Sequence, residues 1–281
     1  MKKKLSVVLL LAIFMGVLTS SAKVDAVAVT VKRVVFEGSK RAEVITVINN
    51  SNRTETYRVG WRHFVMSKDK SLNPVDENAL PPEVKPSNDM IRFSPRRFTL
   101  KPNETQQMRV MLRMPAGLAD GEYRSHLTIR PEADVEDFKL DKKYEAAEGK
   151  TGVVFRMLAG LSMPVIVRKG DLSSTATIEN FKLTKMPDHI HSEFSLLRTG
   201  NRSTYGDLDF ICNAGTPGEY SISVLRNVSI YTEITQRDMT RKLIPAKDKP
   251  QCNNVTLKYS ETEKFKGKII SIYDEKTAAV Q

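Results

Sequence analysis

The sequence predicts an all-β protein made of two immunoglobulin-like β-sandwich domains. Short runs of β-branched and aromatic residues, several alternating apolar with polar, recur between clusters of Gly, Pro, Asn and Asp, while helix-period patterns are scarce. The series runs to Arg168, breaks over the three residues Lys169, Gly170 and Asp171, and then starts over. Each half then has about the strand count and length of one sandwich. An apolar run from Val153 to Arg168 closes the first series, and it is long for a single strand.

The N-terminus is set apart from the fold. Three lysines follow Met1, an apolar run extends from Leu5 to Leu18, and Thr19 to Ala22 are small residues. That order is the charged region, apolar region and cleavage zone of an export signal, and residues 1–26 are assigned to it. Cleavage after Ala22 and after Ala26 both fit. No later stretch supplies the ~18 apolar residues of a membrane span, so the mature chain is expected to be exported and not embedded in a membrane.

The formal net charge is +11, but acidic and basic residues interleave along the whole chain. Without a basic stripe carrying interleaved aromatics, a nucleic-acid partner is not expected. The two cysteines, Cys212 and Cys252, both lie in the second half. In an exported protein they read as one disulfide, worth roughly 3 to 4 kcal/mol for a loop of that length, with two buried thiols as the alternative.

In chain order, Val27 to Phe36 reads as the first strand and is stopped by the turn Glu37, Gly38, Ser39. Arg41 to Ile48 is the second, closed by Asn49 and Asn50. Thr54 to Val65 is the third and holds the single tryptophan, Trp61. Residues 66–89 read as a loop with Pro81 and Pro82. Met90 to Phe93 and Arg97 to Leu100 follow as short strands. Thr105 to Met114 alternates, with Met108, Val110 and Leu112 on one face. Glu122 to Arg130 alternates again, placing Tyr123, Leu127 and Ile129 on one face, and the charged loop 131–150 leads to the long apolar run. The first domain is thus expected over 27–168, the linker over 169–171 and the second domain over 172–281. Strands are expected there at 175–183, 193–197, 205–212, 219–231, 241–244, 254–259 and 268–273. So short a linker implies a nearly fixed angle and a cleft between the domains.

Catalytic chemistry is not visible. His189 and His191 could place two imidazoles on one strand face as metal ligands, but no Cys, Asp or Glu cluster at ligand spacing accompanies them, and a solvated turn beside Pro187 and Asp188 is the expected reading. His63 and His126 fall on strands as surface or half-buried residues. With no nucleophile elbow and no phosphate-cradling glycine loop, neither an enzyme nor a cofactor is expected.

The residues do carry a family resemblance. The segments Val31 to Gly38 and Arg97 to Glu104, with the paired Asn49 and Asn50 between them, resemble the PapD-like periplasmic chaperones of the chaperone–usher pilus pathway. Gly121 to Leu127 and Met163 to Arg168 continue the likeness, and Gly200 to Leu208 is similar to the archaic, non-classical branch. The resemblance implies two domains set as an L and a non-enzymatic role in the periplasm. Such proteins bind pilus or fimbrial subunits whose immunoglobulin-like fold lacks a strand, and deliver them to an outer-membrane usher. The chaperone lends a strand, main-chain hydrogen bonds giving the pairing and alternate side chains filling the subunit groove. Here Val153, Phe155, Met157 and Ala159 would be those side chains, and Leu161 onward would belong to the chaperone's own sandwich. The resemblance also assigns Arg33 to hold the subunit's terminal carboxylate in the cleft. The family's partner lysine falls at Pro164 in this chain, which leaves Arg124 or Lys169 as substitutes. An exported immunoglobulin-like pilus subunit or adhesin is the alternative reading. A subunit should lack a strand or carry a free donor extension.

Overall fold

The structure is a computed structural model that describes residues 27–69, 72–132, 158–262, 264–265, 268–269 and 274–280. Among these residues there is no α-helix, only strands and two short 3-10 turns.

The first sandwich contains β1 (Val27–Val29), β2 (Val34–Phe36), β3 (Ala42–Asn49), β4 (Glu55–Met66), β5 (Leu72–Val75), β6 (Ile91–Ser94), β7 (Arg97–Leu100), β8 (Thr105–Leu112), β9 (Gly121–Pro131) and β10 (Leu161–Lys169). One sheet runs β1-β3-β8-β6; the other runs β2-β10-β9-β4-β5, with β7 also on β4. Phe36, Ile45, Val47, Met108, Val110, Leu127, Ile129 and Val165 are fully buried between them.

Val27 to Phe36 is not one strand. β1 pairs antiparallel with β3 in one sheet, whereas β2 pairs parallel with β10 in the other. The crossing reverses the side-chain parity: odd-numbered Val27 points inward in β1, and even-numbered Val34 and Phe36 point inward in β2. The region 66–89 is also not all loop, because β5 adds to the end of β4 and pairs Met66 with Leu72.

The second sandwich contains β11 (Ser174–Lys185), β12 (Ile190–Gly200), β13 (Thr204–Cys212), β14 (Tyr220–Ile230), β15 (Gln236–Leu243), β16 (Asn254–Glu261), β17 (Lys264–Phe265), β18 (Lys268–Ile269) and β19 (Asp274–Ala279). Its sheets run β11-β12-β15 and β14-β13-β16-β19, with β17 and β18 as a separate pair. Ile178, Leu196, Leu208, Phe210, Ile230, Leu257 and Tyr259 form its core. Cys212 and Cys252 are joined as a disulfide, tying the end of β13 to the approach to β16.

β15 begins well before Arg241, and β19 has no apolar alternation at all. Both are edge strands of charged composition, which the hydrophobic period does not reveal. Between the sandwiches the chain turns at Gly170, whose φ of +86° suits glycine; a Cβ there would stand 2.3 Å from the Asp120 carboxylate.

Candidate functional site

Two neighbouring features set this molecule apart from a plain pair of sandwiches: an edge of β10 that has no neighbour among the described residues, and a buried, charged joint between the domains.

β10 pairs with β9 along its whole length, from Leu161 opposite Ile129 to Lys169 opposite Gly121. On its other side β2 covers only Val165, Ile166 and Val167. Among the described residues, therefore, no strand lies against that edge at Leu161–Pro164. Pro164 marks the change, because it has no N–H to offer and parallel pairing with β2 starts at the next residue. Leading into this edge are Leu158, which is exposed, Ala159, which is half-buried, and the exposed Gly160. Val153, Phe155 and Met157 lie outside the described residues. Beside the edge is a groove lined by Arg62, Phe64, Thr128, Arg130, Leu158 and Leu161.

The joint is built on the face of β9 opposite Tyr123, Leu127 and Ile129. Tyr123, Leu127 and Ile129 do point into the first core, but Glu122, Arg124, His126 and Thr128 on the opposite face are buried as well. Glu233, Tyr231 and Ser203 of the second sandwich lie against them, while the segment 84–88 runs beside β9, where the Arg124 N–H donates to the Lys85 carbonyl and the Ser125 hydroxyl accepts from the Ser87 N–H. His126, expected at or near the surface, is only 3% exposed, and His63 is buried too.

Glu233, which follows β14, reaches across from the second sandwich. Its carboxylate accepts from both terminal nitrogens of Arg124, at 2.7 and 3.0 Å, and from the Met66 N–H at 2.8 Å. The Arg124 guanidinium also donates to the Phe64 carbonyl and lies 3.7 Å from the Tyr231 ring centre. A second pair joins Arg168 Nε to Glu122 at 2.9 Å, and the same carboxylate oxygen accepts from the Ser203 N–H of the second sandwich. Burial alone would push the Glu122 carboxyl up. Arg168, the Ser203 hydrogen bond and Arg33 outweigh it and hold the group below the usual carboxylate range. Met66 and Ile166 of the first sandwich are packed into the core of the second.

Arg33 is placed at this joint, its guanidinium 4.1 Å from the Tyr205 ring centre of the second sandwich. Both terminal nitrogens of Arg124 donate to Glu233, and Nη2 donates to the Phe64 carbonyl as well, so its guanidinium keeps no intact two-donor fork for a further carboxylate. Lys169 turns toward the 118–120 turn of its own domain, donating to the Leu118 carbonyl with Asp120 at 3.9 Å. Neither side chain faces the unpaired edge as a spare cation. His189 lies in the turn before β12 and contacts Asp188, while His191 on β12 contacts Glu193. Among the described residues no group of three or more His, Cys, Asp or Glu side chains could hold a metal ion.

Glu122, Arg168, Tyr231 and Glu233 were not foreseen. One sequence signal was available for the first of these: the outward face of β9 reads Glu122, Arg124, His126, which mixes both signs of charge where an exposed strand more often carries Thr or Lys. Nothing local in the sequence points to Glu233.

No protein-family model matches the sequence, and no curated protein matches it. Similar folds occur among solved structures of fimbrial chaperones. The Salmonella enterica SafA pilin–SafB chaperone complex is similar at 12% identity and a TM-score of 0.42, covering 92% of this chain and 99% of that one. The CsuC–CsuE chaperone–tip adhesion subunit complex from archaic Csu pili of Acinetobacter baumannii is similar at 10% identity and 0.42, covering 91% and 98%. The periplasmic chaperone SfaE stands at 9% identity and 0.42, covering 91% and 99%. The fold described above rests on this chain's own strands and registers. Among the described residues no helix is long and apolar enough to cross a membrane.

Proposed function

We propose that this chain is a periplasmic chaperone that holds pilus or fimbrial subunits by lending them a strand and passes them to an outer-membrane usher. The observation that carries the reading is the edge of β10 at Leu161–Pro164, which β2 does not cover and which the apolar run from Val153 leads into. An edge of this kind offers main-chain donors and acceptors to an incoming strand. Alternate side chains Val153, Phe155, Met157 and Ala159 would enter the client's groove, each large one contributing roughly 1.5 to 3 kcal/mol.

The domains are taken as 27–168 and 172–281 around a linker at 169–171. Arg33 is the proposed hold on the client's terminal carboxylate. Arg124 and Lys169 are weaker candidates because Glu233 and the 118–120 turn engage them. The test is co-expression in the periplasm with a strand-deficient immunoglobulin-like subunit. Phe155→Asp is expected to lower the recovered complex by about tenfold or more, given the burial a phenylalanine would lose. Recovery equal to wild type would sink strand lending through this run, and unchanged recovery with Arg33→Ala would remove Arg33 as the anchor.

A further inference from the structure

His126 lies inside the joint but takes no part in its ion pairs. Its ring stands edge to face against Phe64 of β4 at 4.9 Å and against Tyr231 of the second sandwich at 6.3 Å. Both ring nitrogens are buried, and neither has a hydrogen-bond partner among the described residues. A neutral imidazole tolerates such a site far better than an imidazolium, which must place two N–H donors and a charge.

The groups around the ring also disfavour the charge. On β9 the neighbouring cation is Arg124, held against Tyr231. On β4 the register partner of His126 is Arg62, and His63 beyond it adds to the repulsion. On β10 the register partner is Pro164, which brings neither charge nor N–H. From the second sandwich come Tyr231 and Glu233. Glu233 is the single anion in this set, and both its oxygens already accept from Arg124, one of them also from the Met66 N–H. Burial first, then Arg124 and His63, take the imidazole down from 6.5 to about 3.

We propose that His126 makes the joint between the two sandwiches acid-labile: gaining a proton drives its ring out from between Phe64 and Tyr231 and lets the second sandwich come away from β9. The closed joint holds the neutral ring, and the opened joint returns it to water. The closed value lies below the open one, so closure is full above about pH 6.5 and weakens steadily as the pH falls from there toward about 3. Between about pH 7.5 and about pH 5 the ratio of open to closed joint rises about 30-fold. The inference stands on the joint alone and does not require the chain to be a chaperone.

Amide hydrogen exchange on the full chain tests it, at about pH 7.5 and about pH 5 and corrected for the intrinsic pH dependence of exchange. The comparison is wild type against His126→Phe, which keeps an aromatic ring and removes the titration. In the wild type, the amides bonded across the joint, Met66 to Glu233 and Ser203 to Glu122, should lose about 30-fold more protection than in the variant. Equal losses in the two proteins overturn the proposal. Should the variant fail to fold, the imidazole resonances of wild-type His126 decide: a native midpoint below about 5 supports the proposal, and one at or above about 5 overturns it.

Discussion

A guanidinium removed from water behaves as part of a unit with its carboxylate, and Arg124 is of that kind: its side chain is 4% exposed and that of Glu233 is 2%. Deleting one member leaves the other charged and buried, so Glu233→Ala should cost about 3 kcal/mol in urea unfolding. Glu233→Gln should cost less, because it keeps an acceptor for the Met66 N–H. Glu122 adds a second pH dependence with its own sign. Its folded carboxyl titrates below the ordinary 4.5, so the stability it contributes is complete above that value and is lost as the pH falls through the folded one. Acid titration followed by circular dichroism should show a shallower loss below about pH 4.5 in Glu122→Gln. These residues also show where a sequence reading stops. Arg33 and Arg124 could be singled out because they sit in recognisable segments, but their partners Tyr205 and Glu233 are distant in the chain and the pairing exists only once the domains are docked.

Strands were legible in proportion to how one-sided their burial is. β8 was read correctly because Met108, Val110 and Leu112 are buried and Arg109, Met111 and Arg113 are exposed. β19 was not, since Asp274 to Ala279 borders β16 at a sheet edge and buries little of its own. β9 was half read: its strand and its inward face were plain, but its outward face is covered by another domain, and period-2 patterning cannot tell a covered polar face from a wet one. At this scale the disulfide gives a direct test. Reducing Cys212–Cys252 should cost roughly 3 to 4 kcal/mol of unfolding free energy, seen by calorimetry as a lower Tm with reductant than without. Gly170→Ala should also destabilise, by about 1 to 2 kcal/mol for the left-handed backbone, and more if Asp120 cannot move aside.

The two sandwiches are joined by more than a linker, because Met66 and Ile166 belong to the first by sequence and to the core of the second by packing. Ile166→Ala should therefore lower the stability of the second sandwich by about 2 to 4 kcal/mol, although the residue lies on β10. Calorimetry of the full chain checks this; a loss confined to the first sandwich would mean that the shared core is not a thermodynamic unit. At the scale of the molecule, the all-β class was legible from strand spacing and turn residues. The ion pairs buried between the sandwiches left no such signal, because their members are far apart in the chain. The parallel contact of β2 with β10 has a further consequence, for the order in which the chain assembles. Val34 cannot find Val165 until nearly all of the first domain has been made available, so this ladder closes one of the longest loops in the fold and should be among the last to form. A chain threaded N-terminus first would carry β2 unsatisfied through most of its emergence, and β2 would settle only when the residues just after the run proposed for lending arrive.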